Sequence, residues 1–213
     1  MPDILIYIVV ALGAYLLGSI PFGFLAAKAK GIDIRNVGSG NIGATNAMRV
    51  LGKPTGVLVL LLDALKGYAA VAWLPILVLK FSNGSTVDPE TLRIVAGIFV
   101  VLGHNYTCWL KFKGGKGIAT TAGVYLALAP WAVLVGLVVF ILAVIVTRYV
   151  SVGSIAAAVA LPVTVWIMTP HNVFLGIVST ALGSLAIYKH KSNIQRLMAG
   201  TENRLGKKAE AAK

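Results

Sequence analysis

From Ile4 to Ala27 the chain carries no charged side chain. That run is about 24 residues long, and at about 1.5 Å per residue a helix of this length crosses the roughly 30 Å of a bilayer's hydrocarbon core. Comparable runs follow at Thr55 to Leu79, Glu90 to about Trp109, Ile118 to Leu128, Pro130 to Val146, Val152 to Met168 and Val173 to Tyr188. Lipid offers no water to backbone N–H and C=O groups, so segments that cross it must close their own hydrogen bonds as helices. The expectation is an all-α polytopic membrane protein of about seven transmembrane helices, built as one integral membrane domain over residues 1–213. Ile118 to Leu128 is too short to cross unless tilted or extended, so five or six crossings are also open. Only 12% of the residues are charged, about half the share of a soluble domain, and no polar segment is long enough for one. The first run is read as a span rather than a secretory signal, because Asp3 stands where a positive charge is needed and the run is too long. Cys108 is the single cysteine, so no internal disulfide forms.

The net charge of +12 arises from 19 Lys and Arg against 7 Asp and Glu. Anionic lipid headgroups or a phosphorylated substrate would explain it. Nucleic acid would not, since the basic residues sit in loops between apolar runs and form no basic face with interleaved aromatics. If seven spans alternate, every Lys and Arg except Lys66, Lys80 and Arg93 belongs to one membrane face. By the positive-inside rule that face is the cytoplasm, which puts the N-terminus outside and the C-terminus inside.

Two loops on that face have phosphate-binding chemistry. In Val37-Gly-Ser-Gly-Asn-Ile-Gly-Ala-Thr-Asn-Ala-Met-Arg49, the glycines Gly38, Gly40 and Gly43 allow backbone N–H groups to converge, and Ser39, Asn41, Thr45 and Asn46 add short polar side chains. A helix from Ala44 to Leu51, closed by Gly52 and Pro54, would add its N-terminal N–H groups, and Arg49 a fixed guanidinium. The glycines also match G-x-G-x-x-G, with Asp63 at the offset of a ribose-binding acid. The flanking runs are of membrane length rather than strand length, so the dinucleotide fold is rejected. The second loop is Lys111-Phe-Lys-Gly-Gly-Lys-Gly117. It lacks the earlier glycine of a Walker A motif and has Gly117 where Ser or Thr is required, so ATP binding is not supported.

Asp63 and Lys66 lie inside a span, one helical turn apart, where they can neutralise each other. Charge at that depth points either to function or to a structural ion pair. His104 reads as a buried, hydrogen-bonded residue, because nothing acidic lies near it in sequence. His104, His171 and His190 are widely separated and no carboxylate cluster accompanies them, so neither a metal nor any other cofactor is expected. Gly153, Ala156, Ala157 and Ala158 suit close helix packing. Arg148, Ser151 and Ser154 fit a pocket wall or a plain membrane-boundary turn equally well.

Three stretches resemble the signature motifs of the bacterial PlsY family, the acyl-phosphate-dependent glycerol-3-phosphate acyltransferases. They are Ser39 to Asn46 with Arg49, Phe112 to Thr120, and His190 with Asn193, Arg196, Leu197, Gly200 and Glu202. Asn105 to Leu110 departs from the more proline- and phenylalanine-like lead expected before the second motif. The resemblance implies acyl transfer from acyl phosphate to glycerol 3-phosphate at the inner membrane, giving 1-acyl-glycerol 3-phosphate (lysophosphatidic acid) and phosphate. It implies Ser39, Arg49, His190 and Asn193 as catalytic residues. Gly40, Asn41, Thr45, Asn46, Gly114, Gly115, Lys116, Gly117, Arg148 and Ser154 would bind substrate. Two phosphorylated reactants would account for two basic loops, and a lipid tail for an enzyme buried in the bilayer. The proton acceptor stays open between His190 and a phosphate oxygen of the donor, the latter being more economical. Glu202 would brace the tail against a basic loop. The competing class is a transporter for a phosphorylated solute, which would place its site near the bilayer midplane between broken helices.

Overall fold

The computed structural model describes residues 1–82 and 85–206. All regular structure among them is helical, so no βαβ unit accompanies the glycines of the first loop. Lys207, Lys208 and Lys213 of the basic tail lie outside the described residues. Two compact units divide the chain, Met1–Pro130 and Trp131–Lys213.

In the first unit the opening span is broken. Helix α1 (Asp3–Ser19) ends before Pro21, and α2 (Phe22–Lys28) resumes after it. Proline has no N–H to continue the ladder and restricts the residue before it. The carbonyls released at the break are met by side chains from elsewhere in the unit: Thr107 Oγ1, just past α6, donates to Ser19 O at 2.6 Å, and Lys66 Nζ to Ile20 O at 2.8 Å. Helix α3 (Ala44–Leu51) stops at Gly52, whose φ of 94° only glycine adopts readily. The second span is α4 (Lys53–Ala72) and α5 (Leu74–Lys80), broken at Trp73 ahead of Pro75. Helix α6 (Pro89–Asn105) starts where Asp88-Pro89-Glu90 predicts, with Asp88 accepting from the N–H groups of Glu90 and Thr91. Helix α7 (Ile118–Leu128) remains short.

Small residues bring the backbones of this unit together, as expected where lipid supplies no hydrophobic drive between helices. Gly18 and Gly103 seat α1 against α6; Gly67 and Gly123 seat α4 against α7. A Cβ at Gly123 would overlap the Ala64 carbonyl. Gly123→Val is therefore expected to lower the thermal midpoint in detergent, by overpacking of at least about 1–3 kcal/mol. Gly136→Ala should leave the midpoint unchanged, because its Cβ would meet nothing nearer than 3.9 Å.

The second unit contains α8 (Pro130–Thr147), α9 (Val150–Met168), α10 (Val173–Lys189) and α11 (Lys191–Met198). Gly153 meets Phe140 and Val144 of α8, and Gly183 on α10 meets the Ala158 carbonyl, the packing expected of the small residues on α9. Helices α10 and α11 meet at a bend of 52°. Against the expected seven, five helical segments of the described residues are long and apolar enough to cross a membrane. The α10–α11 pair makes a sixth if counted as one span, and α7 falls short by length. The outer faces are apolar; on α8 alone Leu137, Val138, Leu142, Ile145 and Val146 are exposed. The protein is an integral membrane protein.

Candidate active site

The first loop is organised by one amide. Asn46 is 1% exposed. Its Nδ2 donates to the carbonyls of Asn41, Val37 and Ile34 at 2.9, 3.0 and 3.3 Å. Its Oδ1 accepts from Ser39 N–H at 2.8 Å and Arg49 Nη1 at 3.5 Å. The Gly40 N–H donates to Val37 O at 3.1 Å and the Gly43 N–H to Asn41 Oδ1 at 2.8 Å. The N–H groups of Ser39, Gly40 and Gly43 are therefore engaged inside the loop. Gly38 and Gly40 serve the turn, with φ of 64° and 70°, and a Cβ at Gly38 would strike Asn46 Oδ1. Asn46 and Gly40 thus shape the loop.

What this scaffold turns outward is the exposed set Ser39, Thr45 and Arg49, with Asn41 half-buried beside them. Arg35 is engaged locally: its Nε and Nη2 donate to Asp33 at 2.9 and 2.6 Å, and these bonds together with its N–H hold the Asp33 carboxyl at a pKa of about 2. Beneath the loop lies an apolar cluster of Ala27, Ile34, Ile42, Ala47, Val59 and Leu110. Leu110 immediately precedes the second loop, so both glycine-rich loops rest on one core.

The second loop folds back on the end of α6. Gly114 N–H donates to Asn105 O at 3.2 Å and Gly115 N–H to His104 O at 3.0 Å. Both caps satisfy carbonyls that a helix end leaves open. A Cβ at Gly114 would overlap the His104 carbonyl, one at Gly115 the His104 imidazole, and one at Gly117 the Asn105 amide. At Gly114 and Gly115 the closeness of α6 leaves no room for a side chain, and Gly117 in addition takes a φ of 85°. Lys111 and Phe112 both take positive φ, 52° and 60°, conformations that cost non-glycine residues about 1–3 kcal/mol each and concentrate at functional sites. Lys116 is the half-buried cation that this tight turn places before α7.

Sequence reasoning missed His104 as part of the ensemble. Its Nδ1 lies 3.5 Å from Asp63 Oδ1, and Lys66 Nζ lies 2.8 Å from the same oxygen, all three side chains being buried. The acid that seemed absent comes from α4.

In the second unit, the side chain of Glu202 gathers the third motif. Its Oε1 accepts from Asn193 Nδ2 at 2.7 Å and Ser151 Oγ at 3.0 Å, and its Oε2 from Arg196 Nε at 2.7 Å. Its brace is thus α11 and the start of α9 rather than a basic loop. Arg148, at φ 62°, accepts from the Leu205 N–H at 2.8 Å, so the tail also pins this turn. Ser154 Oγ donates to Val150 O of its own helix at 3.0 Å. His190 is 3% exposed at the α10–α11 bend. The 2.7 Å contact from its Nδ1 to Ala186 O puts the proton on Nδ1 and leaves the lone pair of the neutral ring on Nε2.

Burial pushes the Glu202 carboxyl up, but its hydrogen bonds from Asn193, Arg196 and Ser151 and the Arg196 charge outweigh that and lower it. A lowered folded value means that this group's contribution to stability is present above the ordinary carboxylate pKa and is lost as pH falls through the folded value. Glu202→Gln should therefore flatten the acid limb of a thermal-midpoint profile, and should loosen α11 at neutral pH by about 1.5–3 kcal/mol per charged hydrogen bond lost. An unchanged acid limb would refute this role.

Among the described residues no group of three or more His, Cys, Asp or Glu could hold a metal ion. A family described as Glycerol-3-phosphate acyltransferase matches residues 8–200. A glycerol-3-phosphate acyltransferase of Desulforamulus reducens is 48% identical over 202 residues, covering 94% of this chain and 96% of the relative. The crystal structure of PlsY, an integral membrane glycerol 3-phosphate acyltransferase, in its glycerol 3-phosphate form superposes with a TM-score of 0.82 at 42% identity, covering 94% of this chain and 96% of that one. The lysophosphatidic acid form gives 0.80 at 40% identity, over 94% and 95%. With a family match over residues 8–200 and relatives covered almost end to end, this protein belongs to the glycerol-3-phosphate acyltransferase family.

Proposed function

We propose that the protein transfers a fatty acyl group from acyl phosphate to a hydroxyl of glycerol 3-phosphate, releasing lysophosphatidic acid and phosphate as a step of phospholipid synthesis. The observation that carries this is the pair of basic loops built on one apolar core, together with the full-length likeness to a protein solved in glycerol 3-phosphate and lysophosphatidic acid forms. The hydroxyl oxygen bonds to the acyl carbon, the carbon–oxygen bond to phosphate breaks, and phosphate leaves with the electron pair. The proton of the hydroxyl goes to a phosphate oxygen of the donor. An activated anhydride asks the protein mainly for positioning and for charge near the tetrahedral oxyanion.

Arg49 and Lys116 supply positive charge to the phosphates, with Lys116 on glycerol 3-phosphate, while Ser39, Thr45 and Asn41 orient them. His190, held at the α10–α11 bend, and Asn193, held by Glu202, act in the same reaction. The basic loops face the cytoplasm at the inner membrane, with the N-terminus outside; modification of Ser39→Cys by an impermeant thiol reagent from the outer side of intact cells would contradict this.

Purified protein in detergent should release phosphate from palmitoyl phosphate only when glycerol 3-phosphate is present. Release independent of glycerol 3-phosphate would overturn the assignment. In the same assay, His190→Gln should keep turnover within about tenfold if the donor phosphate takes the proton; a fall of two orders of magnitude or more at unchanged affinity would make His190 the base.

A further inference from the structure

We infer that Asp63, Lys66 and His104 form a buried positioning relay that sets the Gly114–Lys116 loop, with His104 as its positioning residue. Asp63 and Lys66 belong to α4, inside the membrane span, and their side chains are 4% and 2% exposed. An ion pair that only neutralised itself would need nothing further. This one is anchored at both ends. On one side Lys66 Nζ donates to Ile20 O at the α1–α2 break at 2.8 Å, beside the Phe22 ring. On the other, Asp63 Oδ1 lies 3.5 Å from His104 Nδ1.

The opposite edge of the same imidazole faces the loop. A Cβ at Gly115 would overlap His104 Nε2, while the Gly115 N–H donates to the His104 carbonyl at 3.0 Å. Ring and backbone of one residue thus grip the position directly before Lys116. Interiors of this density transmit displacement rather than absorb it, so a shift of the ring moves the lysine. The ring in turn has its orientation from a carboxylate whose own position is fixed by a lysine tied to another helix.

This inference rests on the reading that Lys116 engages the phosphate of glycerol 3-phosphate, and Lys116→Met tests that reading by itself. It should raise KM for glycerol 3-phosphate at least about tenfold, as loss of a binding contact does. If it does not, that reading fails and the relay has no function to serve.

For the relay, KM for each substrate, kcat and thermal midpoint are measured for Gly115→Ala, His104→Ser and the double variant. Gly115→Ala should raise KM for glycerol 3-phosphate about tenfold, with KM for palmitoyl phosphate changed less than about twofold. In the His104→Ser background, where the ring is gone, the same substitution should add less than about twofold. Additive effects, or no effect of Gly115→Ala while Lys116→Met has one, would overturn the relay. Should His104→Ser not fold, Asp63→Leu/Lys66→Met replaces it: removal of the pair should raise KM for glycerol 3-phosphate in a folded protein, and an unchanged KM would overturn the relay.

Discussion

Lys66→Met is expected to be among the most destabilising single substitutions in this protein, by about 3–5 kcal/mol, the cost of leaving one member of a buried ion pair behind. Two groups lose the ammonium at once, and Asp63 is left with His104 alone at 3.5 Å. Asp63 keeps its charge-bearing side chain 4% exposed at membrane depth, and the Ile20 carbonyl, exposed to the span interior by Pro21, loses the ammonium that bonds it at 2.8 Å. Replacing both charges, as Asp63→Leu/Lys66→Met, should recover most of the loss, since a well-packed apolar pair often equals a buried ion pair. Recovery should stop short of the parent by about 1–3 kcal/mol, because the Ile20 carbonyl still lacks a donor. The order of thermal midpoints in one detergent checks this: single variant lowest, double intermediate, parent highest. A single variant at or above the double would show that the pair is not what holds α4 in place.

The largest effect on activity is expected from Asn46→Asp, with turnover falling at least two orders of magnitude, the scale on which small misplacements act in a positioned site. The substitution changes hardly any volume. It removes the two amide hydrogens that hold the Asn41, Val37 and Ile34 carbonyls and sets a carboxylate against those three oxygens. Ser39 and Arg49 are both bonded to the same side chain, so the loop's serine and its cation shift together. Asn46→Ala should lose activity comparably, without the added repulsion toward an anionic substrate. Phosphate release from palmitoyl phosphate in the presence of glycerol 3-phosphate measures both. Activity within a few-fold of the parent for either variant would show that the Asn46 amide does not position the loop's serine and cation.

Much of the architecture could be read directly from residue order. The start of α6 at Asp88-Pro89-Glu90, the stop of α3 at Gly52 and the pairing of Asp63 with Lys66 each depend on neighbours within one turn, and all three are found as expected. The membership of Ser39, Thr45, Arg49 and Lys116 in two basic loops was equally visible. Glycines are the residues whose purpose residue order leaves least legible. A glycine needed because a helix end presses against it has the same letter as one needed to approach a phosphate. At Gly114 and Gly115 the end of α6 does press, through the carbonyl and the imidazole of His104.

His104 shows the other difficulty. Its acid, Asp63, comes from a different helix, and no local pattern announces an encounter across a helix interface. The same holds for Glu202, whose three partners sit on α9 and α11.

The chain's order of residues by itself determined that helices would form, where most begin and end, and that their surfaces would be lipid-facing, because hydrogen-bond closure in hydrocarbon and the capping of helix ends are local demands. Tertiary structure alone decided which donors remain for a substrate and which are taken up inside the protein. That choice depends on which carbonyls and side chains each donor meets once the chain has folded, from Asn46 reaching back to Ile34 to Ser151 meeting Glu202, and residue order alone does not announce those encounters.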